Sequence, residues 1–218
     1  MTRNTNIRAV IFDMDGVIVD SEPLWFEAYQ KVCGEYGFAF NEELDRLVKG
    51  KSNGVKLLTV ALNIPDKYKE FEGRVLKVYE GLFHRKAELM PGALDLLGKL
   101  KGKYRLALAT SAGKKRLSSH LGKFRSLEPF FDVLTSGGEV KRSKPHPDIF
   151  LKTAKKLNVG PEECLVVEDA EAGVAAAKAA GMKVVGLKPH HVTSQDLSKA
   201  DKIVSSLSEI TVPILLNL

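Results

Sequence analysis

The chain has 218 residues, 44% of them hydrophobic, and a net charge of +6. That length supports one well-filled core plus a modest second unit. The excess of base is moderate and its lysines fall in short scattered groups, around 99–103, 114–116, 141–144 and 152–156. This is the pattern of a solvated surface, so no nucleic-acid partner is expected. Cys33 and Cys164 are the only cysteines and stand far apart, which predicts no disulfide framework and a reducing compartment. A polar N-terminus runs straight into an apolar strand, with no secretory leader pattern. No apolar run is long enough to span a bilayer. A cytoplasmic monomer without a membrane partner is expected, and its mild positive field would gather small anionic substrates.

Residues 8–12 read as a strand. The run Val10-Ile11-Phe12 stops at Asp13, and Met14, Asp15 and Gly16 follow. Open α/β sheets carry their chemistry at that end of a strand. An ordinary turn would also use Asp and Gly. From residue 17 to 89 the pattern is helical and no strand is expected. Ser21 and Pro23 start a helix whose Trp25, Tyr29, Val32 and Tyr36 recur at helical spacing until Gly37. Leu44, Leu47 and Val48 mark a second, short helix. Ser52 can cap a third, with Val55, Leu58 and Leu62 on one side. After Pro65, the residues Tyr68, Phe71, Val75, Val78, Tyr79 and Leu82 draw an amphipathic stripe. Its aromatics read as the core of a helical bundle.

Met90-Pro91-Gly92 marks a return to alternating strands and helices. A helix over 93–101 leads to a strand at 106–109, then Thr110-Ser111-Ala112-Gly113 and a helix over 114–124. A strand follows at 131–135 and a helix from Pro147 to about 157. A strand at 165–167 ends at Glu168 and Asp169. An alanine-rich helix closes at Gly181, and strands follow at 184–187 and 203–204. The alternation predicts an α/β fold with a Rossmann-like, doubly wound parallel sheet. Residues 1–16 and 90–218 would form this core domain. Residues 17–89 would be a helical cap domain, inserted at the active edge and placed to act as a lid.

Four polar groups then fall near the carboxyl ends of parallel strands: Asp13 with Asp15, Thr110 with Ser111, Lys144, and Glu168 with Asp169. Each has an ordinary reading alone, as a helix cap, a loop lysine or an acid at a helix start. Together they make an anion-handling set. Crowded carboxylates need a counter-ion, and oxygen ligands suit Mg²⁺. An Asp beside that ion can attack phosphorus, and a second acid two residues on can protonate the leaving oxygen and then activate water. A lysine, a hydroxyl and the amides of the helix after Thr110 can hold phosphoryl oxygens. His146, between two prolines, reads as a structural or surface loop residue, and His84, His120, His190 and His191 have no ligand spacing.

Asp13-Met14-Asp15-Gly16-Val17 with Asp20-Ser21-Glu22 resembles the first motif of the haloacid dehalogenase superfamily. Thr110, Lys144-Pro145-His146-Pro147-Asp148 and Glu168-Asp169 resemble its second to fourth motifs, in order. The nearest group is similar to β-phosphoglucomutase and related phosphatases. The resemblance implies Asp13 as nucleophile and metal ligand. It implies Asp15 as general acid/base with its backbone carbonyl on the metal, and Thr110 and Lys144 on the phosphoryl group. Ser111 would contribute mainly backbone. Asp169 would be a carboxylate on Mg²⁺, with Glu168 a ligand or its support, and Gly16 would allow the tight turn under the phosphate. Mutases of this group carry a histidine near the position of Trp25 and an arginine near the segment where Asn53 stands, and both are missing here. Relatives often have Asn or Ser where Ala112 stands. The expectation is a Mg²⁺-dependent phosphatase of a small phosphorylated metabolite, with a sugar-phosphate mutase and a non-catalytic binding or regulatory protein as rivals. Lys49, Lys51, Asn53, Arg74 and Lys77 are the candidate specificity residues.

Overall fold

The computed structural model of the protein describes residues 7–51, 53–188 and 195–211. Ser52, His190 and His191 lie outside the described residues. The sheet has six strands: β1 (Ala9–Phe12), β4 (Arg105–Thr110), β5 (Val133–Ser136), β6 (Cys164–Glu168), β7 (Lys183–Leu187) and β8 (Lys202–Val204). They lie in the order β5-β4-β1-β6-β7-β8, with every neighbouring pair parallel. The expected fold class is therefore the observed one. β1 is central, and the chain fills one side of it before crossing to the other. That reversal opens a crevice at the carboxyl ends of β1, β4 and β6.

The strands are apolar on both faces because both faces are covered. Val10, Phe12, Leu106, Leu108, Leu165 and Val167 point to one core, with α5 (Ala93–Leu100) and α6 (Lys114–Lys123) over it. Ile11, Ala107, Ala109 and Val166 point to the other, beneath α7 (Asp148–Leu157) and α8 (Glu171–Ala179). Small residues on that second face let the two helices approach closely.

Among the described residues, four α-helices stand between β1 and α5: α1 (Glu22–Glu35), α2 (Glu42–Val48), α3 (Gly54–Ala61) and α4 (Tyr68–Lys86). Asn41 caps α2 through Leu44 N–H, and Asn53 stands at the cap position of α3. The stripe on α4 is buried from Phe71 to Leu82 as its spacing predicts, with Phe71, Val75 and Tyr79 fully enclosed, while Tyr68 at its start is half-buried. The expectation of no strand in 17–89 is corrected. β2 (Val19–Asp20) and β3 (Glu88–Leu89) pair antiparallel where the chain leaves and rejoins the sheet. Two-residue strands carry no periodicity, so only their pairing reveals them. β5 also begins two residues later than expected. Phe131 N–H closes a turn onto Glu128, and the Asp132 carboxylate accepts from Leu106 N–H.

Phe71 is fully buried and packs 5.2 Å from Tyr36, measured between ring centroids. Phe71→Ala is expected to cost about 3–5 kcal/mol, read as a lower urea midpoint. A loss under about 1 kcal/mol would mean that α1 and α4 do not share this interior.

Candidate active site

β1 does not let go of the sheet at its last residue. Asp13 N–H donates to Val167 O at 3.0 Å, which fixes the carboxylate just beyond the strand. The chain then turns tightly. Ile18 and Val19 N–H both donate to Met14 O at 3.0 Å, and Gly16 N–H donates to Val19 O at 2.9 Å. Gly16 has φ +75°, and a Cβ there would sit 2.1 Å from Asp169 Oδ2. Glycine is thus required twice, for the backbone angle and for the room that Asp169 takes.

Lys144 arrives on the loop after β5. Its ammonium donates to Asp13 Oδ1 at 2.5 Å and also to Glu168 Oε1. All three side chains are buried. Burial works against the charge on Lys144, but Asp13 and Glu168 hold its ammonium above its ordinary range. The other oxygen of Glu168 accepts the N–H groups of Asp169 and Ala170, each at 2.9 Å. The Glu168 carboxylate also packs on Gly173, where a Cβ would come within 1.8 Å of Oε1. Glu168 is expected from the sequence as a metal ligand or its support. The structure gives its oxygens to Lys144 and to the start of α8.

Asp13 and Asp169 have less compensation. Burial pushes the Asp13 carboxyl up to about 7, with Glu168 and Asp15 adding to the push and Lys144 opposing it. Burial, then Glu168, Glu22 and Asp13, hold Asp169 well above the usual carboxylate range. Among the described residues, none donates a hydrogen bond to the Asp169 carboxylate, and no cluster of three or more metal-ligating side chains is drawn together. These residues fit Mg²⁺, which typically takes one or two carboxylates and keeps several waters. The surplus of buried negative charge is what such an ion would neutralise.

Thr110 ends β4 and is fully buried, its hydroxyl accepting Ala112 N–H at 3.0 Å. Ser111 is exposed and lines the cleft. Its carbonyl is pressed against Gly137, where a Cβ would lie 2.3 Å away. The family resemblance puts the phosphoryl contact on Thr110 and mainly backbone on Ser111. In the structure Ser111 has the more open side chain.

The cleft encloses about 340 Å³ between these groups and the helices of 22–86. Tyr79 on α4 donates to Asp15 Oδ1 at 3.1 Å. Its ring stacks on Trp25 at 3.7 Å, and Arg116 stands over Trp25 at 5.7 Å. Lys49 pairs with Glu22 at 2.7 Å. Gln195 accepts Glu171 N–H at 2.9 Å and donates to Lys49 O at 3.2 Å, joining α8 to the end of α2. Of the five specificity candidates, Lys49 and Lys51 line the cleft. Asn53, Arg74 and Lys77 do not. Arg74 instead forks onto Glu35 at 2.6 and 2.8 Å. Sequence reading missed Tyr79, Arg116 and Gln195 as site residues. For Tyr79 a signal existed, since a buried tyrosine hydroxyl needs a partner.

The haloacid dehalogenase-like hydrolase family matches residues 10–187. A phosphorylated carbohydrates phosphatase of Thermotoga maritima is 41% identical, covering 81% of this chain and 83% of that protein. Hexitol phosphatase B of Escherichia coli is 32% identical over 99% of this chain and all of its own length. The solved β-phosphoglucomutase of Clostridium difficile superposes with a TM-score of 0.81 at 27% identity, covering 97% of each chain. Four motifs in order on a parallel sheet, matched by one family across most of the sequence, lead to one conclusion. The chain belongs to the haloacid dehalogenase-like hydrolases.

Proposed function

We propose that this protein hydrolyses phosphate monoesters of small carbohydrate-like metabolites through a phosphorylated Asp13, with Mg²⁺ as cofactor. The observation that carries the reading is the buried bridge from Lys144 to Asp13 and Glu168, at the foot of a cleft that Asp15 and Asp169 also line. The relatives named for carbohydrate and hexitol phosphates support the substrate class. Both cysteines are buried free thiols, in keeping with a reducing, cytoplasmic location. Among the described residues no helix is long and apolar enough to cross a membrane. We read the enzyme as a monomer.

In this scheme Asp13 attacks phosphorus and its bond to the ester oxygen breaks. Asp15 gives that oxygen a proton. Asp15 then takes a proton from water as the water attacks phospho-Asp13, which frees phosphate and restores the carboxylate. Lys144, Ser111 and Thr110 receive the phosphoryl oxygens, and the amides opening α6 add dipoles. Glu168 keeps Lys144 in place, and Gly16 lets Asp169 reach the turn. Mg²⁺, held by Asp13, Asp169 and the Asp15 carbonyl, would screen the attacking carboxylate from the negative phosphate. Tyr79 orients Asp15. We read residues 17–89 as the lid over residues 1–16 and 90–218. The mutase alternative has β-phosphoglucomutase among its relatives. Against it, no histidine stands near Trp25, where the resemblance places one in those enzymes.

Phosphate release from a panel of phosphorylated sugars and polyols tests the proposal. Turnover is expected with Mg²⁺, to be abolished by EDTA, and to fall at least about 1,000-fold in Asp13→Asn. Strict need for a bisphosphate activator, with little free phosphate, would favour the mutase.

The pH dependence follows from Asp13. A nucleophile must be ionised, and a pKa raised to about 7 means activity is lost as pH falls through that value. A bound cation favours the ionised form, so the acid limb of kcat/KM should move to lower pH as Mg²⁺ is raised. An acid limb indifferent to Mg²⁺ would remove Asp13 from the metal.

Tyr79→Phe should lower kcat/KM about 10-fold for sugar phosphates, whose leaving alkoxide needs a proton. The loss should be much smaller for p-nitrophenyl phosphate, whose leaving group needs none. Equal losses on both would reduce Tyr79 to a packing residue.

A further inference from the structure

Arg116 is the feature of the cleft that the reaction above leaves unused. It stands in the first turn of α6 and lines the cleft with Asp13 and Asp15. Its guanidinium lies over the Trp25 ring, 5.7 Å from the centroid. Its Nε is buried with no hydrogen-bond partner, and among the described residues it joins no ion pair. The neighbouring cleft cations differ. Lys144 is taken by Asp13 and Glu168, and Lys49 by Glu22; Lys51 is exposed at the rim. A buried N–H left without an acceptor is rare and calls for one.

We propose that Arg116 binds a second anionic group of the substrate, a carboxylate or a further phosphate, at the end remote from the scissile ester. The inference rests on the phosphatase reading and narrows its substrate class. A guanidinium is a planar fork of donors that matches carboxylate and phosphate oxygens, and an aromatic face beneath it limits its motion. Trp25, beneath Arg116, stacks on Tyr79, which donates to Asp15, and the scheme above gives the phosphoryl group to Lys144, Ser111 and Thr110, so Arg116 is left for a different part of the substrate. A neutral polyol end would give the fork hydroxyl oxygens but no counter-charge, leaving a half-buried cation uncompensated.

The test compares two matched pairs: phosphoglycerate against glycerol phosphate, and fructose bisphosphate against fructose monophosphate. Each is assayed by kcat/KM with wild-type protein, Arg116→Gln and Arg116→Lys. The wild type should favour the doubly anionic member of at least one pair by about 10-fold or more. The carboxylate pair and the phosphate pair tell the two chemistries apart. Arg116→Gln should bring that ratio close to one, and Arg116→Lys should keep part of it. A ratio unchanged by Arg116→Gln in both pairs, or a wild-type preference for the neutral members, overturns the inference. Calorimetric affinities of the same four compounds for Asp13→Asn protein read the same ratios without chemistry. If nothing is turned over but the affinity ratio still depends on Arg116, the phosphatase reading fails and the anion site stands.

Discussion

Collecting several carboxylates at one end of a parallel sheet and burying them is unfavourable unless cations share the space. Lys144 is the cation the chain supplies. It comes from a loop, is buried, and divides its ammonium between Asp13 and Glu168. One positive charge cannot balance Asp13, Glu168 and Asp169 together; burial first, and then the neighbouring carboxylates, hold the Asp13 and Asp169 carboxyls above their ordinary range. Under the proposed function, that remaining negative charge is what a divalent ion would neutralise. Glycine makes the crowding possible, since Gly16 and Gly173 leave room for Asp169 and Glu168 where any side chain would collide.

The same centre depends on two layers that differ in character. The sheet holds Asp13, Thr110 and Glu168 on adjacent strands, where ladder hydrogen bonds fix the backbone. The helices of 22–86 hold Glu22, Trp25, Lys49 and Tyr79 through side-chain packing and a few polar contacts. One of these contacts, from Tyr79 to Asp15, crosses directly between the layers. Another runs from Gln195 to the Lys49 carbonyl. Contacts of this kind break and re-form at modest cost compared with a strand ladder. Under the proposed function, that difference suits the helical layer to substrate recognition and the sheet to chemistry.

The chain order of the longer elements, the parallel sheet and the four polar groups near its strand ends were legible from residues alone. Buried strands are unbroken apolar runs, amphipathic helices repeat near every fourth residue, and the polar groups stand where those runs end. The assignment of Tyr79 and its neighbours to a packed core was also sound as packing. Only tertiary structure determined which polar atoms meet. Glu168 turned to Lys144 and two amides, Thr110 turned onto its own loop, and Arg74 turned away to Glu35. It also revealed β2 and β3, too short to have a period, and Arg116, which sequence spacing does not distinguish from the lysines beside it. Periodicity reports which side of an element is dry, because burial is a property of whole faces. The partner of a given charge depends on distances between residues remote in sequence, and these exist only once the chain has folded.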